Sequence, residues 1–282
     1  IILVTLAGSI IAYILLAYSQ TLYGLFFARA FAGFMAGNIS TAQAYIADIT
    51  DKNNRAKAMG LFGAAFGIGF ILGPAIGGVL AGSDPKNPNV FLPPISAASL
   101  SFIALVLALF ILKDNRSMIK NNKNKRILSL IEAIKIPNLR QLILLSFIVT
   151  LVFASMESTF SLWSERTFNW GAEQNGFIFA FAGICGVLVQ GFLISPLVKR
   201  FGEAFLCITG IIFISIGMIS VAISYLNYHA YISMSLIAFG LGFFLPTIST
   251  LIVNIVSEDR RGWVLGVNQS VSSLSRIIGP AI

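Results

Sequence analysis

GLFGAAFGIGFILGPAIGG, residues 60–78, holds seven glycines and one proline in nineteen positions. It lies in an apolar run from Ala56 to Gly82 with no charge after Lys57. Such a run crosses a bilayer as a helix, which takes about 20 apolar residues. In water this helix would be poor, because each glycine costs about 1 kcal/mol relative to alanine. In lipid the logic reverses. Apolar surface gains nothing from meeting other apolar surface, so helices associate through close backbone approach. Gly69, Gly73 and Gly77 stand four apart and form one smooth stripe, and Gly63 and Gly67 form a second. The stretch predicts a membrane helix packed tightly against a neighbour, and packing alone accounts for each glycine taken singly.

The rest of the chain agrees with a bilayer. Hydrophobic residues make up 57% and charged residues 11%, with a mean hydropathy of +0.87. Soluble domains carry about 25% charged residues. Apolar segments fall at 1–18, 21–47, 57–82, 91–112, 141–163, 175–197, 203–225, 230–256 and 263–282, which predicts an all-α membrane protein with nine spans. The chain begins and stops inside hydrophobic runs, so both ends read as cuts through spans of a larger protein. Cys185 and Cys207 lie in apolar runs without metal-type spacing and read as packing residues. His229 has no partner cluster.

A net charge of +8 admits a nucleic-acid partner until the charges are placed. Connections are short except 113–140, which holds Lys113, Arg116, Lys120, Lys123, Lys125, Arg126, Lys135 and Arg140. Its first part reads as a solvated linker. Ile127, Leu128, Ile131 and Ile134 then recur at helical spacing and read as a short amphipathic helix on the membrane surface, ended by Pro137. Cytoplasmic loops collect basic residues. With 113–140 inside, alternation puts 48–56, 198–202 and 257–262 inside too. These loops and their edges hold fifteen of the 19 basic residues. The outer loops hold Lys86 and Arg166. Topology therefore uses the positive charge, and nucleic acid is not needed to explain it. A shift of 206 positions also lays Thr41, Arg55, Gly60, Gly73 and Pro74 on Thr247, Arg261, Gly266, Gly279 and Pro280. The long basic connection at 113–140 separates the two copies of the repeat, with 1–112 before it and 141–282 after it.

The spacing of Gly60, Gly69, Gly73-Pro74 and Gly77-Gly78 resembles the antiporter signature in span five of drug:proton antiporters of the major facilitator superfamily, with every fixed position filled. The resemblance implies a helical bundle of two pseudo-symmetric six-span halves, incomplete here at both ends, with spans three to eleven of twelve present. Arg29 and Gly33 resemble the span-four motif, whose arginine is associated in the family with proton coupling, although Ala32 replaces the usual glutamine. Asp48 and Arg55 resemble the gating loop between spans four and five. Lys199 and Arg200 resemble its degenerate match between spans eight and nine. The family implies a proton-coupled, alternating-access transporter of the tetracycline- and multidrug-type. It would sit as a monomer in the bacterial inner membrane and move a small amphipathic compound outward in exchange for protons, without cofactor or nucleic acid. A symporter or facilitator importing a sugar or organic acid, and a non-transporting remnant, stay open as alternatives.

Catalysis finds no support. The chain has no P-loop, no His-Glu-x-x-His and no Gly-x-Ser-x-Gly, and no metal-ligand cluster. Gly67, Gly69 and Gly73 echo a dinucleotide fingerprint but follow no strand. Among the acidic residues, Glu157 alone lies well inside a span. Ionisable groups at that depth cost about 3 kcal/mol and are functional candidates, the competing reading being a pair that fixes helix packing. The expected boundaries put Glu157 and Arg29 roughly 10–12 Å below the outer surface. Arg276, near Asn268, Gln269 and Ser273, either faces a hydrated cavity or neutralises Glu157. Gln190 and Asn38 are weaker candidates for the substrate cavity.

The topology predicts the labelling of single cysteines introduced after Cys185 and Cys207 are replaced by alanine. An impermeant thiol reagent should reach cysteines at Asn87 and Asn175 in intact cells and miss those at Asn121 and Lys199. Labelling of the Asn121 variant from outside would invert the orientation.

Overall fold

A computed structural model describes residues 1–36, 41–42, 45–46, 49–50, 52–112, 133, 135–257 and 260–282, with backbone alone at 52, 53, 55–57, 59 and 60. Its longer elements are helices: α1 (Ile2–Ala17), α2 (Leu22–Phe34), α3 (Lys52–Ala81), α4 (Leu92–Ile111), α5 (Pro137–Phe168), α6 (Ala172–Phe201), α7 (Glu203–Ala222), α8 (Asn227–Asn254) and α9 (Arg261–Ile278). A short 3-10 turn, Gly279–Ala281, follows. Each of the nine expected apolar segments carries one of these helices. Ile127, Leu128, Ile131 and Ile134 of the expected surface helix lie outside the described residues.

Local chemistry sets the helix ends. The Thr21 hydroxyl accepts the Gly24 N–H at 3.1 Å and caps α2. The Asn89 side chain accepts the N–H groups of Phe91 and Leu92, both at 3.0 Å, at the start of α4. In the exposed α3–α4 loop, Asp84 accepts the Lys86 N–H at 2.9 Å and the Asn87 amide at 3.2 Å. These bonds hold its carboxyl below the usual aspartate range. Pro137 opens α5, where its missing N–H costs nothing. Asn169, in the left-handed region at φ 57°, closes it. Inside α6 one turn widens to a π-helix over Val189–Leu193. Pro196 follows closely, and a proline inside a helix leaves the carbonyl four residues back, here Phe192, without its N–H.

Among the described residues six helices have the length and apolarity to cross a membrane: Leu61–Ala81 within α3, α4, α5, α6, α7 and α8. The helices α1 and α2 are apolar but shorter. The last helix, α9, falls short because Asn268, Gln269, Ser270, Ser272, Ser273, Ser275 and Arg276 crowd its second half.

The chain divides into two compact units. One is Ile1–Lys120 with Gly171–Phe177, the other Asn121–Trp170 with Ile178–Ile282. In the first, α1 packs on α4 and α2, and α3 on α4. Little is enclosed there: 6% of the α3 span is buried, against 50% for α8. The first unit therefore leaves most of α3 uncovered. The second unit is built on the α7–α8 pair. A β-carbon on Gly240 would lie 2.6 Å from the Gly210 carbonyl oxygen, so the two backbones touch. Around this pair Leu139, Ile143, Val149, Phe244, Ile248, Ile252, Val264 and Val267 form one core. A second core joins Met156, Phe160, Trp170, Ile178 and Met234. Aromatic edges run from Phe160 through Trp163, Phe168 and Trp170 to Tyr231. Near the α7–α8 turn, the Ser233 hydroxyl donates to Ser220 at 2.7 Å.

One labelling expectation changes. Asn175 is 7% exposed, and its amide donates to the Gly171 carbonyl at 2.9 Å. A cysteine there would be shielded, which leaves the exposed Asn87 as the outer-loop probe.

The α7–α8 contact predicts a stability contrast. Gly240→Val should cost about 1–3 kcal/mol through overpacking and lower the unfolding temperature in detergent. Gly186→Val, at a position with nothing within 4 Å of the added carbon, should change stability by less than about 0.5 kcal/mol. Equal effects would show that α7 and α8 do not need backbone contact.

Candidate functional site

The glycine-rich helix α3 meets its neighbour on a face other than the expected stripe. A β-carbon on Gly63, Gly69, Gly73 or Gly77 would find nothing within 4 Å. One on Gly78 would lie 2.6 Å from the Ala172 carbonyl oxygen and 3.0 Å from Gly176 Cα. One on Gly176 would collide with the Pro74 carbonyl. The Glu173 N–H donates to the Gly82 carbonyl at 3.1 Å, and Gly171 sits against the Ser83 carbonyl. The first turn of α6 therefore lies on the last turns of α3, with backbone against backbone. Pro74 and Gly78 stand four apart and share the contacting face, about 100° round the helix from the Gly73–Gly77 line. The described contact runs through Pro74 and Gly78, two positions of the expected signature, and no described residue lies against the Gly69–Gly73–Gly77 line. The Gly60 side of this pattern and the Arg55 side chain lie outside the described atoms, although both positions are helical.

The internal repeat explains part of the difference. Gly73 and Pro74 correspond to Gly279 and Pro280. At Gly279 a β-carbon would lie 2.8 Å from the Leu151 carbonyl oxygen and 3.1 Å from Ala154 Cβ. The Ser155 hydroxyl donates to the Gly279 carbonyl at 2.8 Å. The Ser275 hydroxyl donates to the Phe147 carbonyl at 3.0 Å. The second copy thus uses its Ser275–Gly279 line, the counterpart of Gly69–Gly73, to seat α9 on α5.

These contacts fix the register of the charged residues in the second unit. Ser275 is level with Phe147, and Gly279 with Leu151–Ser155. Arg276 is then level with about Ile148, and Glu157 lies roughly 10–13 Å further along α5 at 1.5 Å per residue. Arg276 does not neutralise Glu157. Arg276 is exposed, Glu157 is half-buried, and neither has a hydrogen bond or ion pair among the described residues. Because α5 continues to Phe168, five residues past the expected end of its segment at 163, Glu157 lies about 16 Å below the helix end. This is deeper than the sequence boundaries implied.

Arg29 is exposed on α2 in the first unit, one residue after the buried Ala28. Asn38 and Asp48 lie outside the described residues. Gln190 is exposed and sits in the π turn of α6, beside Val189, which is fully buried against Gly242. The sequence analysis did not single out Pro196, the one local signal for this widening, and π turns recur at functional positions. Lys199 and Arg200 end α6, both exposed, with the Arg200 guanidinium 5.3 Å from the Phe201 ring centre. Arg260 holds the same relation to Trp263 at 5.5 Å. Asn268 was passed over in the sequence as one polar residue among several. Its side-chain oxygen is buried without a hydrogen-bond partner. A buried acceptor of this kind calls for a donor from outside the unit or from another state. Among the described residues no cluster of His, Cys, Asp or Glu could hold a metal ion.

Long apolar helices, backbone contacts at glycines and isolated charges at depth define an integral, multi-pass membrane protein. Residues 1–280 match the Major Facilitator Superfamily model, and the chain belongs to that superfamily. It is 29% identical over 286 residues to the class C tetracycline resistance protein of Escherichia coli, covering 100% of this chain and 71% of that protein. It is 30% identical over 293 residues to multidrug resistance protein 2 of Bacillus subtilis (strain 168), covering 97% and 70%. In fold it is similar to a bacterial homologue of the human lysosomal transporter Spinster, solved inward-facing and unoccupied. That match has a TM-score of 0.79 at 18% identity and covers 99% of this chain and 66% of the other.

The α5–α9 register predicts one cross-link and excludes another. With Cys185 and Cys207 replaced, Ala154→Cys with Gly279→Cys should form a disulfide under mild oxidation. Their β-carbon separation is a few tenths of an ångström short of the usual range near 3.8 Å. Glu157→Cys with Arg276→Cys should stay reduced, and efficient oxidation of that pair would refute the register.

Proposed function

We propose that the protein is a proton-coupled secondary transporter that exports a small amphipathic compound in exchange for protons by alternating access. The observation that carries the reading is the complete Gly60–Gly78 signature on α3, whose Pro74–Gly78 face holds the first turn of α6. The naming of its relatives as tetracycline and multidrug resistance proteins favours the same direction of transport. The halves are 1–112 and 141–282, joined by the cytoplasmic linker 113–140, in a bacterial inner membrane.

In this reading the α3–α6 junction closes the outer mouth. It is made of carbonyls, N–H groups and glycine α-carbons, so it can part without leaving a large side chain stranded. Asp48, Arg55, Lys199 and Arg200 are the charged gating residues of the cytoplasmic side. Glu157 carries the proton. A carboxylate at mid-depth takes up a proton when apolar surroundings enclose it and releases it when water or a cation reaches it. Arg29, Arg276, Gln190 and Asn38 are the polar groups along the route.

The test is flux through the full-length protein in proteoliposomes, with an imposed pH gradient and a compound panel. Glu157→Gln should reduce pH-driven accumulation to the level of protein-free liposomes and leave exchange at equal pH within about twofold of the parent. Full pH-driven transport would make Glu157 structural. Gly176→Leu should lose coupled flux, or leak protons, while still inserting in the membrane. Undiminished coupling in this variant would remove the junction from the mechanism.

A further inference from the structure

The last helix, α9, has two unlike faces. Val264, Val267 and Ser275 are buried, at 0%, 5% and 0% exposure, against α5 and the α7–α8 core. Gly262, Gly266, Gln269, Ser273 and Arg276 step by four and three residues and so share another face. All five are exposed. The rotation of the helix is not free, because the Ser275 hydroxyl is bound to the Phe147 carbonyl and Gly279 rests on Leu151. The polar line is therefore turned away from its own unit by contacts on the opposite side.

The depth of this line matters. Arg276 stands fifteen residues after Arg261, about 22 Å along the helix. An arginine turned to hydrocarbon at the bilayer centre costs about 2.5–3.5 kcal/mol or more, and such residues face water or a polar partner. Among the described residues of its unit Arg276 has no such partner, and Glu157 lies a further 10 Å or more away along α5. The face offers the five N–H donors of a guanidinium and the two of the Gln269 amide. The Ser273 hydroxyl is committed to the Gln269 carbonyl at 2.9 Å. On the same line no described residue lies within 4 Å of a β-carbon built on Gly266, one turn before Gln269, which leaves room beside that amide for an apolar body. The balance is donor-rich and positively charged, with open space alongside.

We infer that Gln269 and Arg276 on this face bind the anionic group of the transported compound, so that the substrate is a small amphipathic anion: a carboxylate, sulfonate or enolate on an aromatic or alicyclic frame. This inference rests on the transporter reading for the word "transported" but not for the binding itself. A guanidinium matches such groups in a bidentate manner, which a lysine ammonium does not reproduce.

The test measures binding without any gradient, so it is independent of flux. The full-length protein in phosphatidylcholine nanodiscs is titrated with 8-anilinonaphthalene-1-sulfonate and with the neutral N-phenyl-1-naphthylamine, each corrected with protein-free discs. The parent should bind the sulfonate more tightly than the neutral amine. Arg276→Gln should weaken the sulfonate about tenfold or more and leave the amine within about twofold, while Arg276→Lys recovers part of the loss. If Arg276→Gln does not fold, Gln269→Leu, which keeps the charge, should still weaken the sulfonate about threefold or more and spare the amine. Equal losses for both probes, no loss, or a parent without preference for the sulfonate would each overturn the assignment. A sulfonate affinity that falls tenfold when 30% phosphatidylglycerol is added, and does so only with Arg276 present, would give the face to a lipid headgroup and overturn it as well. Failure of pH-driven flux alongside selective sulfonate binding would count against the transporter reading and leave this one standing.

Discussion

In a bilayer, helices gain nothing by hiding apolar surface from one another, so how near their backbones can come decides where they join. Three contacts in this protein follow from that constraint. The α7 and α8 backbones touch at Gly210 and Gly240. The α3 and α6 backbones touch at Gly78 and Gly176. At Gly279, the turn that ends α9 touches the Leu151 carbonyl of α5. Each places carbonyl oxygens and N–H groups where any larger residue would stand. The helices of this chain are poor helices for water, and Gly78, Gly176, Gly210, Gly240 and Gly279 stand where two of them meet.

The same constraint gives isolated charges their significance. Glu157 and Arg276 lie on neighbouring helices of one unit, yet the α5–α9 contacts hold them apart along the axis. A pair formed for stability alone would be expected at one level. Among the described residues the two groups stay unpaired at different depths, an arrangement that favours the proposed exchange of a compound for protons.

The sequence revealed the helical class, the nine segments and the repeat clearly, because twenty-residue apolar runs and basic loops are properties of local composition. It also singled out α3. It did not reveal which face of α3 is used. Gly73 and Gly78 are equally bare in sequence, and the α6 turn, held by the Glu173 N–H on Gly82, decides between them. Arg276 and Glu157 looked like possible partners because span boundaries carry an error of several residues. The Ser275–Phe147 bond removes that error. The π turn at Gln190 was legible in principle from Pro196, whereas the orphaned oxygen of Asn268 was not, since burial of one atom depends on contacts distant in the chain. Arg200 and Arg260 are ordinary loop arginines in sequence, and their stacking on Phe201 and Trp263 appears once the helix ends are placed.

Exchange of a compound for protons is the central claim, and the most direct measurement runs it in reverse. The full-length protein is reconstituted with a pH-sensitive dye inside the vesicles, both sides start at the same pH, and a gradient of a transported compound is imposed. The account predicts that protons move against the compound, building a pH difference that collapses on addition of a protonophore. Protons moving with the compound would make the protein a symporter, and compound flux with no proton movement would make it a facilitator; either result contradicts the account.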